Sequence, residues 1–331
     1  MMEEILVTAR YNAKVDPSLA IWSWEVGVYL FLGGMTAGIM IFTALVHLLR
    51  KEQQLPFAAW QLPLWAPIVL SIGMTTLFLD LEHKLYVFRF YTTLEVTSPM
   101  SWGSWVLMLV YPICMLMILA TFRSGYPSLS SRLEQLLPIV TRVFDISRKY
   151  LRPIAYISIP VGIALGIYTG ILLSAFSARP IWNTSILGLL FLVSGVSSAA
   201  ALVAIIARQA HERHLFAKLD AGIITVEMLL IGLLVIGLST GAGIQLDALQ
   251  LIMGGEFTIA FWVFIVGLGL VIPLLLELWH MRGGQMLVML APVLVLIGGY
   301  LLRHITLEMG QVSTWHDYGI QFDPALLERL Q

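Results

Sequence analysis

The chain has 331 residues, of which 59% are hydrophobic and only 12% charged, with a formal net charge of -1. An average soluble domain carries roughly 25% charge, so an ordinary soluble enzyme and a disordered chain are excluded, and the near-neutral balance gives no electrostatic footprint for nucleic acid. The composition is that of an all-α polytopic membrane protein.

The first 20 residues are polar and mixed in charge, which predicts no cleaved signal peptide. A membrane span needs about 20 mostly apolar residues, and eight such runs follow. In order they are Val26–Leu49, Leu62–Leu81, Trp102–Phe122, Ile154–Phe176, Ile186–Ala207, Gly222–Leu238, Phe257–Leu276 and Met286–Leu302. Backbone groups in lipid must be satisfied within their own segment, so each run is read as a helix. The loops after spans 1, 3, 5 and 7 hold twelve of the nineteen Lys and Arg residues. That side is expected to be cytoplasmic, with both termini outside.

The organisation expected is an outer segment 1–25, spans 1–3 over 26–122, a basic cytoplasmic loop over 123–153, spans 4–8 over 154–302 and an outer tail 303–331. The picture is of two four-helix bundles side by side. The basic loop is expected to carry a surface helix resting on anionic lipid headgroups. Gly34 and Gly38, then Gly162, Gly166 and Gly170, repeat at four-residue spacing. That places small residues on one helix face and permits close helix contact. Pro160 and Pro273 are placed to kink spans 4 and 7.

Ionisable groups inside the membrane are costly, so they are functional candidates. Asp80 closes span 2, three residues before His83. Glu227 lies roughly 8 Å from the inner end of span 6. Glu277 and His280 sit at the inner end of span 7, and with Glu227 they form the candidate proton path. Arg303 and His304 mark the outer end of span 8, and His47 the inner end of span 1. Residues at span ends ordinarily snorkel to the interface.

The single cysteine, Cys114, cannot hold an iron–sulfur cluster, which takes about four thiolates. None of the seven His residues lies mid-span, so haem is not expected in this chain, nor any metal site. A quinone headgroup needs hydrogen-bond partners for two oxygens and an apolar corridor for its tail. The outer ends of spans 1, 2 and 4 supply Tyr29, Asp80, His83 and Tyr168, with Arg179 and Asn183 just beyond. Two other functions fit the same composition: a proton or ion transporter without redox activity, and a pure anchor.

Several strings, taken together, resemble the NrfD/PsrC-like family of membrane subunits. Trp24 with Tyr29-Leu30-Phe31-Leu32-Gly33-Gly34 and Ala37-Gly38 looks like its first span. Phe78-Leu79-Asp80-Leu81 looks like the end of its second. Thr97-Ser98-Pro99-Met100-Ser101-Trp102-Gly103-Ser104-Trp105 is similar to its third-span entry. Tyr168-Thr169-Gly170, Leu173-Ser174 and Arg179-Pro180-Ile181-Trp182-Asn183 form the most specific match. Gly298-Gly299, Leu302-Arg303 and Gly310-Gln311 resemble its C-terminal signature.

The resemblance implies an eight-helix subunit of a respiratory oxidoreductase in a bacterial or archaeal inner membrane. It implies a quinone or menaquinone site near the outer face and no redox metal in this chain. An iron–sulfur, ferredoxin-like subunit would dock outside, with a molybdopterin or multihaem catalytic subunit beyond it, and lipid would surround the helices. On this reading Tyr29, Trp102, Tyr168, Arg179 and Asn183 contact the quinone, while Asp80 and His83 take its protons.

Overall fold

A computed structural model describes residues 22–241, 243–281 and 289–313, with the side chain of His280 excepted. The expected outer segment up to residue 21, the tail beyond 313 and Arg282 lie outside the described residues. Among those described the fold is helical throughout, without a strand. Eight helices are long and apolar enough to cross a membrane, as the eight apolar runs predicted.

In sequence order, α1 is Trp24–Leu48, and a π-helical turn Phe57–Gln61 leads into α2, Leu62–Asp80. Pro99, Pro127 and Pro138 each open a helix: α3 (Pro99–Gly125), α4 (Pro127–Leu136) and α5 (Pro138–Lys149). Proline suits the first helical position because its missing N–H would be unpaired there anyway. Then come α6 (Leu151–Ser174), α7 (Ile186–Ile206), α8 (Ala210–Ser239) and the short α9 (Gly243–Met253). A π-helical stretch, Ala260–Val271, runs into α10, Ile272–Met281, and α11 is Leu290–Val312. Pro273 is the second residue after that stretch. Its lack of an N–H removes one i→i−4 bond, which fits the change of helical register at this point.

Helix α1 is central. It packs on α2, α6, α7 and α11, while α7 packs on α8 and α8 on α10. The glycines expected at helix contacts are there. A Cβ on Gly38 would come within 2.7 Å of the Gly195 carbonyl oxygen, and one on Gly170 within 2.5 Å of Gly188 Cα. Backbone meets backbone at these crossings, a distance only glycine allows.

The basic loop holds two helices, α4 and α5. Arg123 ties them to the end of α3 by donating to Glu134 Oε1 at 2.8 Å and to Asp145 Oδ1 at 2.7 Å. Phe144 is buried against Phe122, with ring centroids 5.7 Å apart. Ile139 and Ile146 stay exposed, which leaves an apolar face beside the basic residues. On the same side, Glu212 of α8 caps the start of the second span. Its carboxylate accepts from the backbone N–H groups of Ala58 at 2.8 Å and Phe57 at 3.2 Å.

Two boundaries depart from the sequence reading: the helix of the sixth span, expected from Gly222, starts at Ala210, and the last span runs past its expected end. The last span was expected to end at Leu302, with Arg303 reaching for water. Helix α11 instead runs ten residues further, to Val312. Arg303 is completely buried. Its guanidinium donates to the carbonyls of Phe191 and Gly299, each at 2.8 Å, and to Ser194 Oγ at 3.1 Å. It also lies over the ring faces of Phe31 and Phe191. Gly34 makes the room: a Cβ there would sit 2.6 Å from Arg303 Nη2. A charge so supplied with acceptors and rings has no need to snorkel.

Candidate functional site

A cavity of about 510 Å³ opens among the ends of α1, α2, α3 and α6 that carry Tyr29, Asp80, Gly103 and Tyr168. That volume falls within the range of small-molecule sites, about 300–1,000 Å³. Its walls are mostly apolar, from Val26, Leu77, Phe78, Leu107 and Leu173 among others. Glu82, Tyr91 and Ser104 add polar groups.

Tyr29 and Tyr168 are both buried, at 4% and 8% exposure, yet neither phenol hydroxyl has a hydrogen-bond partner among the described residues. The Asp80 carboxylate has none either. The two phenols and the partly exposed Asp80 share one mostly apolar cavity, an arrangement able to meet the polar atoms of a planar ligand.

The seat of Tyr168 is made by a residue the sequence reading passed over. Gly103 of α3 lies against the phenol ring, and a Cβ at that position would fall 1.8 Å from Tyr168 Cζ and 2.1 Å from its hydroxyl oxygen. Helix α3 opens at Pro99, and Ser101, Gly103, Ser104 and Leu107 lie on its buried face. No pattern of apolar residues signals such a glycine; the only hint was its place inside the Thr97–Trp105 string.

Of the residues expected at the site, the structure gathers Tyr29, Asp80 and Tyr168 on the cavity and places four others off its lining. His83 is exposed and meets the Tyr86 ring edge-on at 6.4 Å. Trp102 points away from its neighbour Gly103, and its indole N–H donates to the Val96 carbonyl at 2.7 Å. Arg179 is buried and donates to the Gln311 carbonyl at 2.7 Å and to that of Ser313 at 3.3 Å. Asn183 is exposed beyond it. The Arg179–Trp182 string is a clamp on α11: the Trp182 indole N–H donates to the Thr306 carbonyl at 2.7 Å, against Gly310.

Glu227 and Glu277 are buried as well, each at 2% exposure. Glu227 has Ser194 and the Arg303 guanidinium as its polar neighbours. Glu277 faces Asp220 of α8, which the sequence reading had left just outside its sixth span. The side chain of His280 lies outside the described residues.

Outside the spans, Glu95 accepts from both the backbone N–H and the hydroxyl of Thr97. These bonds favour its ionised form and hold its carboxyl below the usual range, which fixes the turn that leads into α3.

The sequence matches the family described as polysulphide reductase, NrfD, over residues 13–314. It is 30% identical to protein NrfD of Escherichia coli strain K12 across 307 residues, which is 88% of this chain and 96% of the relative. It is 27% identical to the C chain of polysulfide reductase from Wolinella succinogenes, over 88% of this chain and 94% of the relative. The C subunit of selenate reductase from Mesobacillus selenatarsenatis is 23% identical over 91% of this chain and 76% of the relative.

Proposed function

This chain belongs to the polysulphide reductase NrfD family, and on that premise we propose that it is the quinol- and quinone-reactive membrane subunit of a respiratory reductase complex. The observation that carries the reading is the cavity where Tyr29, Asp80 and Tyr168 meet without protein partners for their polar atoms. Relatives named as parts of polysulfide and selenate reductases support the assignment to a redox complex.

In this reading the two phenols hold the two headgroup oxygens. Asp80 sits beside them as the group that takes a proton. A quinol brings two electrons and two protons to such a site. The walls formed by Phe78, Leu107 and Leu173 exclude water and guide an apolar tail. His83, exposed three residues after Asp80, passes each of the two protons in turn to the aqueous side. Trp102, Arg179 and Asn183 act around the cavity, through the α3 entry and the clamp on α11. The electrons leave to an iron–sulfur, ferredoxin-like subunit docked outside, and the complex ends in a molybdopterin or multihaem subunit. The positive-inside bias puts the cavity and both termini outward in an inner membrane, with the helices in two groups of four. A proton route from the inner side, through Glu277, His280 and Glu227, belongs to the same reading.

The test is Tyr168→Phe. The ring stays and the packing with it; only the hydroxyl goes. One hydrogen bond is worth about 0.5–1.5 kcal/mol net, so the quinol KM should rise by roughly two- to tenfold, with assembly of the complex unchanged. Steady-state quinol oxidation by the purified complex measures this, and unaltered kinetics would place the quinol elsewhere.

A further inference from the structure

On the inner side of α8 and α10, two carboxyl groups are buried face to face. Asp220 is 1% exposed and Glu277 2%. Asp220 Oδ1 accepts a hydrogen bond from Ser197 Oγ at 2.6 Å. Asp220 Oδ2 and both oxygens of Glu277 are buried and meet no donor among the described residues. Helices α8 and α10 pack on each other, and each of these carboxyls is the other's charged neighbour. Both are acceptors until a proton lies between them.

Among the described residues no basic group acts on either carboxyl. From α7 comes only the neutral Ser197. On α8 itself the other charged group that acts on Asp220 is Glu227, which is also acidic. Glu277 feels no described group but Asp220. Two carboxylates this close in a low-dielectric interior repel strongly.

We propose that Asp220 and Glu277 form a proton-loading site, a buried carboxyl pair that holds a single proton between its two members and exchanges it with the inner aqueous side. The site takes a proton as its ligand. No bond other than O–H forms or breaks: a proton arrives from water, one carboxyl oxygen accepts it, and the same proton leaves toward the next acceptor. That acceptor is on the same helix. Glu227 follows Asp220 by seven residues, which is two turns and roughly 10 Å along one face of α8. Beyond Glu227 stand Ser194 and the buried Arg303, and Arg303 packs against Gly34, five residues after Tyr29 on α1. The pair therefore heads a line of polar groups that points from the inner side toward the cavity. The inference rests on the proton-route part of the proposed function and not on quinol binding.

Infrared spectroscopy on the full-length protein in lipid nanodiscs tests it without any turnover, so a failure of the quinol site leaves this result intact. The band measured is the protonated-carboxyl C=O stretch at neutral pH, integrated per mole of protein against a carboxylic acid standard. Wild type should exceed the double variant D220N/E277Q by one carboxyl, and that carboxyl's band should shift promptly in 2H2O. A difference of two carboxyls means two separately neutral acids, a difference of none means two ionised groups around a cation, and a band that does not exchange means a sealed structural proton. Each of those three results overturns the proposal. If the double variant fails to fold, the single variants decide the same question. Sharing predicts that D220N and E277Q each keep the wild-type count, because the remaining acid retains the proton. Two independent acids predict that each variant loses one.

Discussion

Gly103→Ala should abolish most quinol turnover while leaving a folded, membrane-inserted protein. The two energetic effects have opposite signs. Alanine is the better helix former by about 1 kcal/mol, so α3 itself loses nothing. The added methyl, however, would fall 1.8 Å from Tyr168 Cζ and 2.1 Å from its hydroxyl oxygen. Both positions lie inside van der Waals contact, so the Tyr168 ring has to shift. Overpacking of that kind costs typically 1–3 kcal/mol, and the ring relieves it by leaving its seat. The hydroxyl moves with the ring, and a displacement of about 1 Å at a reacting group can cost on the order of 10²-fold in rate. The loss should thus exceed that of Tyr168→Phe, which deletes the hydroxyl and keeps the ring. Gly232, where a Cβ would meet nothing within 4 Å, is the control: Gly232→Ala should leave turnover unchanged. Quinol oxidation and quinone binding in the purified complex measure both variants. A fully active Gly103→Ala variant would detach Tyr168 from the reaction.

How much of this was legible in the sequence follows from the range of each interaction. The eight spans were, because a run of about 20 apolar residues is a local property. The cavity was in part: Tyr29, Asp80 and Tyr168 are polar residues toward one end of their spans, a pattern visible along the sequence. Gly103 left no mark, since what matters there is a neighbour 65 residues away. Arg303 was misread for a related reason. A charge near the end of an apolar run resembles a boundary, and only the carbonyls of Phe191 and Gly299, with Ser194, turn it into a core residue. Asp220 was hidden by its own surroundings. It ends the polar stretch His211–Asp220, read as a loop, whereas the helix runs through from Ala210 to Ser239. Arg179 is charged and close to the cavity in sequence, and its commitment to the carbonyls of Gln311 and Ser313 depends on the far end of the protein.

Glu227→Gln should remove the membrane potential generated by quinol oxidation and leave electron transfer running. The outer cavity alone is electroneutral in the proposed topology. Protons released there leave on the same side as the electrons, so no charge crosses the membrane. A potential therefore requires protons from the inner side, and Glu227 is the carboxyl placed between the Asp220–Glu277 pair and the buried Arg303. Glutamine has the same length and a polar end beside Ser194, so packing changes little. It cannot take and return a proton, and Arg303 keeps its own bonds to Ser194, Phe191 and Gly299. The complex is reconstituted in vesicles, and a potential-sensitive dye is followed alongside quinol consumption. Wild type should charge the membrane, and the variant should consume quinol at a comparable rate with no potential. An equal potential in both would eliminate Glu227 from the route. No potential in wild type would mean that only the electroneutral cycle operates, and the polar line from Glu277 to Arg303 would then be structural.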